Sequence, residues 1–361
     1  MTLSIKINRV AETRSAAFDF KQIEFGHTAT DHMLVAHYRN GKWEQPMIEP
    51  FRALQLSPMA AGLHYGQLVF EGMKAYRLPS GDINIFRLQK HGDRFSQSLQ
   101  RMCMPPIPAS FFRQCLHAFV ATEQDWVSSI PGNTLYLRPF VIATEPRLGV
   151  KVAAEYSFIL IAAPMSAYYA GNIKVKVETQ FVRAAEGGAG YAKHAGNYGA
   201  AFYPTQQAMA EGFDQVIWTD AKEHRFIEES GTMNVIFIID GVVVTPPISG
   251  TILDGITRDS LLTLARDAGI PVDERPISLQ ELEEAFECGK KIEAFGVGTA
   301  AVVTPMELIS INGKNYFPDL SDTALLHQLK KELNDIRTGQ VPDPYGWNDI
   351  IRINHCVPQS L

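Results

Sequence analysis

Lys193 stands in Glu186-Gly187-Gly188-Ala189-Gly190-Tyr191-Ala192-Lys193-His194-Ala195-Gly196-Asn197-Tyr198, a stretch that neither a regular helix nor a regular strand would choose. Glycine tolerates positive φ and close backbone approach, so glycines around one lysine suit an amine displayed toward something bulky. A glycine-rich loop that simply carries a lysine is the alternative. Two further segments look built for an anion. Gly255-Ile256-Thr257 leads into a helical pattern, where free N–H groups, the positive end of the helix dipole and a hydroxyl converge; a plain helix cap has the same residues. Phe295-Gly296-Val297-Gly298-Thr299-Ala300 reads as a glycine-rich turn between apolar strands, either an anion nest or a tight hairpin.

Glu229, in Glu228-Glu229-Ser230-Gly231-Thr232-Met233-Asn234, is placed between a strand and the hairpin that follows. Glutamates in such places are usually solvated, but one facing an aromatic nitrogen would keep that nitrogen protonated, as a pyridine electron sink requires. Arg94 in His91-Gly92-Asp93-Arg94-Phe95 is either a helix-surface ion-pair residue or a charge-assisted clamp on a phosphate. Lysine, phosphate nests, carboxylate and the phenol of Tyr198 together describe a site for pyridoxal 5′-phosphate.

The elements that must carry these groups come mixed. Short apolar runs at Met33–Ala36, Ala75–Arg77, Ile83–Phe86, Leu135–Leu137 and Tyr156–Ile161 read as strands, with a hairpin turn at Pro79–Asp82 and helices over Arg87–Met102 and Phe111–Trp126. The pattern weakens at residues 166–177, which we take as an interdomain connection between a smaller domain, 1–165, and a larger one, 178–361. In the second, a helix is expected over Asn197–Glu211, then strands at Gln215–Asp220 and Arg225–Ile227. Asp240-Gly241 turns a hairpin between Asn234–Ile239 and Val242–Thr245. A helix over Arg258–Ala268 takes Thr257 as N-cap and Gly269 as the residue past its end, and a last helix covers Thr323–Ile336. This is a mixed α/β (α+β) chain in two domains, and it lacks the Gly-x-Gly-x-x-Gly fingerprint of a dinucleotide fold.

The bulk composition agrees. A chain of 361 residues exceeds one domain of roughly 100–200 residues. A net charge of −6 offers no basic face for nucleic acid or an acidic membrane, which favours small-molecule chemistry. The start, Met1–Asn8, has no long apolar region and no apolar run approaches the ~20 residues of a membrane span, so a soluble cytoplasmic protein is expected. Cys103, Cys115, Cys288 and Cys356 never pair as Cys-x-x-Cys, and the histidines show no metal-ligand spacing, so no metal is expected.

In this order the segments resemble a fold-type-IV pyridoxal-phosphate enzyme, with the cofactor at the domain interface, and within that group a branched-chain amino acid aminotransferase. The resemblance runs from Phe25–Met33 through His64–Ala75, Leu135–Pro139, Glu145–Val150, Lys193–Tyr198 and Glu229–Asn234 to Gly298–Ala300 and the last helix. It implies that Lys193 forms the Schiff base, Glu229 pairs with the pyridine nitrogen and Tyr198 hydrogen-bonds the cofactor's phenolic oxygen. Arg94, Ile256, Thr257 and Thr299 would hold the phosphate. Phe25, Tyr65, Phe70, Tyr136 and Tyr168 resemble the aromatic pocket for the substrate side chain, with core packing the alternative for Phe70. Arg138 would meet the distal carboxylate of glutamate or 2-oxoglutarate, and the Thr299 and Ala300 N–H groups the α-carboxylate.

The resemblance further implies a ping-pong exchange of leucine, isoleucine or valine with 2-oxoglutarate, and a homodimer in which Leu148-Gly149-Val150 reaches the neighbour's site. Some relatives carry a redox Cys-x-x-Cys after the Thr-Ala turn; here Ala301 and Thr304 stand there, so thiol regulation of that kind is not expected. A D-amino acid aminotransferase or an aminodeoxychorismate lyase would share the lysine and glutamate but generally not both Phe70–Ala75 and Leu135–Pro139. A non-catalytic phosphate binder would need no Lys193, Glu229 and Tyr198 together.

Overall fold

The computed structural model describes residues 3–166, 171–321 and 324–353. Two mixed sheets organise them. The first runs, edge to edge, Lys6–Ile7, Met47–Pro50, His32–Arg39, Tyr156–Met165, Thr134–Ala143, Met73–Arg77, Ile83–Phe86 and Asn348–Ile351, with Leu68–Phe70 also paired to Thr134–Ala143. The second runs Ile227–Ser230, Gln215–Thr219, Ile173–Glu178, Val302–Ile311, Ile292–Gly298, Met233–Ile239, Val242–Thr245 and Val272–Glu274.

Helices Leu88–Arg101 and Ala109–Thr122 cover one face of the first sheet, packing Phe95, Leu99, Phe112 and Leu116 against Leu135, Leu137 and Phe158. Because strand side chains alternate between faces, the same strands send Tyr136, Arg138, Phe140 and Phe70 to the opposite face, where a cavity lies. In the second sheet, helix Leu279–Glu287 buries Leu279, Leu282 and Ala285 on one face. Helices Ile256–Asp267 and Leu325–Arg337 pack on the other, in a core that also takes in Tyr76, Phe86 and Trp347. The two halves thus share apolar packing beside the cavity.

Several boundaries differ from the sequence expectation. Ile173–Glu178 is a buried strand between Gln215–Thr219 and Val302–Ile311, so the second sheet begins inside the stretch taken as a connection. Its Ile173, Val175 and Val177 alternate with Lys174 and Lys176, a period-2 pattern with one polar face. At the other end, Asn348–Ile351 pairs antiparallel with Ile83–Phe86, returning the chain to the first sheet. Helix Ile256–Asp267 starts two residues earlier than expected, and its N-cap is Gly255 rather than Thr257, which lies in the first turn. The strand expected at Arg225–Ile227 is Ile227–Ser230, and the last helix is Leu325–Arg337.

Candidate active site

Lys193 ends the glycine-rich loop just before helix Ala195–Ala210, whose N-cap His194 accepts the Gly196 N–H at Nδ1. Asn197 Nδ2 donates to the carbonyls of Ala189 and Ala192, both at 2.9 Å, which ties the loop to the first turn of the helix. Gly190 is pressed against the Thr251 backbone so closely that a Cβ there would overlap it. On the other side the Lys193 N–H donates to Ser98 Oγ at 2.9 Å, and its carbonyl accepts the Phe70 N–H at 3.0 Å. The backbone at Lys193 is therefore gripped from helix Leu88–Arg101 and from strand Leu68–Phe70.

From that grip the Lys193 side chain enters a cavity of about 840 Å³. Its Nζ lies 2.6 Å from Tyr198 Oη, five residues on, and 4.9 Å from the centre of the Phe70 ring. Glu229, 3% exposed, sits on a strand facing inward, not in a solvated turn as its sequence context allowed. Its carboxylate accepts the Leu253 N–H at 2.5 Å and lies 3.1 Å from Arg183 Nε. Asn234 Nδ2, 3.4 Å from Glu229 Oε1, donates at 2.9 Å to the Leu253 carbonyl. Burial pushes the Glu229 carboxyl up from its ordinary value, against the pull of Arg183, the Leu253 N–H and the charges of Lys193 and Arg94.

Arg94 is buried, not a surface ion-pair residue. Its Nε and Nη2 donate to Glu71 at 2.8 and 2.6 Å and its Nη1 to the Asp254 carbonyl at 2.9 Å, which leaves N–H groups of the guanidinium to spare on the cavity wall. Ile256 lines the same wall at the start of its helix, with Thr257 buried directly after it. Opposite, Phe295–Gly298 belongs to a strand, and the turn is Thr299–Ala301, closed where Gly298 pairs with Val302. Thr299 and Ala300 both line the cavity.

The aromatic wall holds Phe25, Phe70 and Tyr136, with Phe25 edge-on to Tyr136 at 5.1 Å. Arg138 lies over the Phe70 ring at 4.7 Å and donates from Nη2 to Tyr136 Oη at 3.0 Å, while its buried Nε has no hydrogen-bond acceptor among the described residues. Tyr65 is not part of this wall: it is 39% exposed and its hydroxyl donates to the Leu148 carbonyl. Tyr168 lies outside the described residues. Sequence reasoning missed Glu71, Ser98 and Arg183, each of which acts on a site residue distant in the chain, and Asn234, which lies beside Glu229 five residues away.

Lys193, Tyr198, Glu229, Arg94, Ile256 and Thr299 thus surround one cavity, and the residues fit pyridoxal phosphate. A buried, inward-facing carboxylate with the Arg183 guanidinium 3.1 Å away suits a ring N–H⁺, and the helix start beside Arg94 suits a phosphate. Residues 68–309 match the family model described as amino-transferase class IV, and the chain belongs to that pyridoxal-phosphate-dependent family. It is 43% identical over 335 residues to branched-chain-amino-acid transaminase 1 of Bacillus subtilis (strain 168), covering 91% of this chain and 94% of that one. The branched-chain aminotransferase of Thermoproteus uzoniensis, solved with norvaline, superposes with a TM-score of 0.74 at 25% identity, over 89% of this chain and 100% of that one. The branched-chain amino acid aminotransferase of Escherichia coli gives a TM-score of 0.72 at 26% identity, over 91% of this chain and 100% of that one.

Proposed function

We propose that this chain is a branched-chain-amino-acid transaminase, exchanging the amino group of leucine, isoleucine or valine with 2-oxoglutarate. The observation that carries this reading is one cavity in which Lys193 meets a buried carboxylate on one side and an aromatic wall edged by Arg138 on the other. Bound pyridoxal phosphate supplies a carbonyl for amine exchange and a ring that accepts the electrons released at the substrate Cα.

The chain's own groups do the rest. Lys193 Nζ takes the Cα proton and returns it, and Tyr198 Oη, 2.6 Å away, holds that amine in place between transfers. Glu229 would pair with the ring nitrogen and keep it protonated, with the Arg183 guanidinium 3.1 Å away favouring the carboxylate form. Arg94, the N–H groups at Ile256 and Thr257, and Thr299 hold the phosphate. The Thr299–Ala300 turn receives the α-carboxylate. Phe25, Phe70 and Tyr136 take the side chain, and an aliphatic chain lies against their rings while the glutamate carboxylate turns to Arg138, whose Nε has no acceptor among the described residues.

The same reading makes the protein a homodimer. Tyr65 is joined to Leu148, and Leu148 and Val150 are 54% and 84% exposed, an apolar edge suited to reach a second copy. A cytoplasmic setting accords with the unpaired thiols of Cys103, Cys115 and Cys288. Among the described residues no helix is long and apolar enough to cross a membrane. The test is half-reaction kinetics with L-leucine and with L-glutamate on the loaded enzyme. Turnover of both L-amino acids supports the reading, and reaction with D-amino acids alone rejects it.

A further inference from the structure

Lys74 lies on strand Met73–Arg77, where Met73 and Ala75 face the helix-covered core and Lys74 points the other way, toward the second sheet. It is only 5% exposed, and among the described residues no carboxylate lies within 4 Å of its amine. A buried ammonium without an anion is costly, and the amine's hydrogen-bond acceptor is the carbonyl of Ala300, 3.0 Å away and 226 residues along the chain. That carbonyl belongs to the three-residue turn Thr299–Ala301 on the cavity wall.

The turn needs holding. Val302, which closes it, has φ +62°, in the left-handed region that a β-branched residue resists. Thr304 Oγ1 donates to the next carbonyl, Ala301, at 3.2 Å. Two successive carbonyls are thus gripped, one by the turn's own strand and one by the first sheet. Because the peptide is planar, fixing the Ala300 carbonyl fixes the peptide that follows it and limits rotation at Ala300 itself.

We propose that Lys74 is a positioning residue for the substrate's α-carboxylate, acting through the Ala300 carbonyl to hold the Thr299–Ala301 turn at the distance the first sheet sets. It touches neither substrate nor cofactor. The proposal rests on the reading that this turn receives the α-carboxylate, and it makes the fit of that group depend on a bond between the two sheets.

The test compares Lys74→Met, which keeps the bulk and loses the donor, and Lys74→Gln, which keeps a shorter donor, with the wild-type holoenzyme. Cofactor affinity is read by spectral titration, and binding by the dissociation constants of 4-methylpentanoate and its uncharged amide. For Lys74→Met the expectation is cofactor affinity within about twofold of wild type and a three- to tenfold loss for 4-methylpentanoate, the scale of one hydrogen bond. The amide should be unaffected, and the KM for leucine should rise more than kcat falls; Lys74→Gln should lie between. Unchanged 4-methylpentanoate binding, or equal losses for acid, amide and cofactor, overturns the proposal. Ala300→Pro, which removes a turn N–H, separates the two levels. If it too leaves carboxylate binding intact, the α-carboxylate reading of the turn falls along with Lys74; if it abolishes that binding while Lys74→Met does not, only the role of Lys74 falls.

Discussion

Glu71 and Arg94 form a buried two-point ion pair, with Arg94 Nε and Nη2 at 2.8 and 2.6 Å from the two carboxylate oxygens, and Glu71 also accepts the N–H of Gly72 at 2.7 Å. The pair joins the segment that carries Phe70 to the helix that carries Arg94, so one interaction sets both the aromatic wall and the proposed phosphate clamp. Burial alone would push the Glu71 carboxyl up; the charge and hydrogen bonds of Arg94, together with His91 beside it, outweigh that and hold it well below the usual carboxylate range.

Glu71→Gln is expected to lower stability by about 3–5 kcal/mol, because it leaves the Arg94 charge buried without its counter-ion. Urea unfolding of the apo protein measures this. A carboxyl with a depressed folded pKa contributes stability that is fully present above the unfolded value near 4.5 and is lost as pH falls toward the folded one. The gap between wild type and variant should therefore shrink below about pH 4.5, and a gap constant with pH would contradict the ion-pair account.

Arg138→Ala should damage the glutamate half-reaction more than the leucine half-reaction, by about ten- to a hundredfold in kcat/KM, the scale of ~1.5–3 kcal/mol for a charged hydrogen bond. Single half-reaction kinetics decide it. Equal losses for both substrates would remove Arg138 from the distal-carboxylate role.

Arg183→Met removes the cation 3.1 Å from Glu229 and leaves burial to push that carboxyl further up. A more readily protonated Glu229 is a poorer partner for a ring N–H⁺, so cofactor affinity should fall by about tenfold or more, on the scale of one pKa unit per 1.36 kcal/mol. Spectral titration reads the effect, and unchanged affinity would place Arg183 outside the cofactor's electrostatics.

Gly255→Ala is a steric test of the same cradle. A Cβ at Gly255 would overlap the Asn234 side chain, which bonds the Leu253 carbonyl and lies beside Glu229. Asn234 must move, so cofactor affinity should drop with little change in helix content by circular dichroism, since Gly255 has φ −75° and imposes no strain on alanine.

The local motifs were legible in the sequence because their information is local. Glycines, Lys193 and Tyr198 fall within twelve residues, and the alternation along Leu135–Arg138 separates core from cavity. What pairs across the chain was not legible. Glu71 and Arg94 belong to a strand end and a helix, and nothing in either segment names the other. Nothing in the sequence around Lys74 points to Ala300, 226 residues along the chain. Thr257 looked like the N-cap because hydroxyl residues favour that position, yet Gly255 takes it where a Cβ would meet Asn234. Tyr65 resembles the family's aromatic set in sequence but bonds Leu148 and does not line this cavity.

Lys193 is proposed to hold the cofactor and to pass the proton for L-branched-chain substrates. The absorbance spectrum of the cofactor-loaded enzyme, recorded as L-leucine is added without a 2-oxo acid, tests it most directly. The account predicts that the visible band of the Lys193-linked cofactor converts to the pyridoxamine form, that 2-oxoglutarate restores it, and that Lys193→Ala shows neither change. A wild-type enzyme that forms no such band, or a Lys193→Ala variant that forms and converts it normally, would contradict the account.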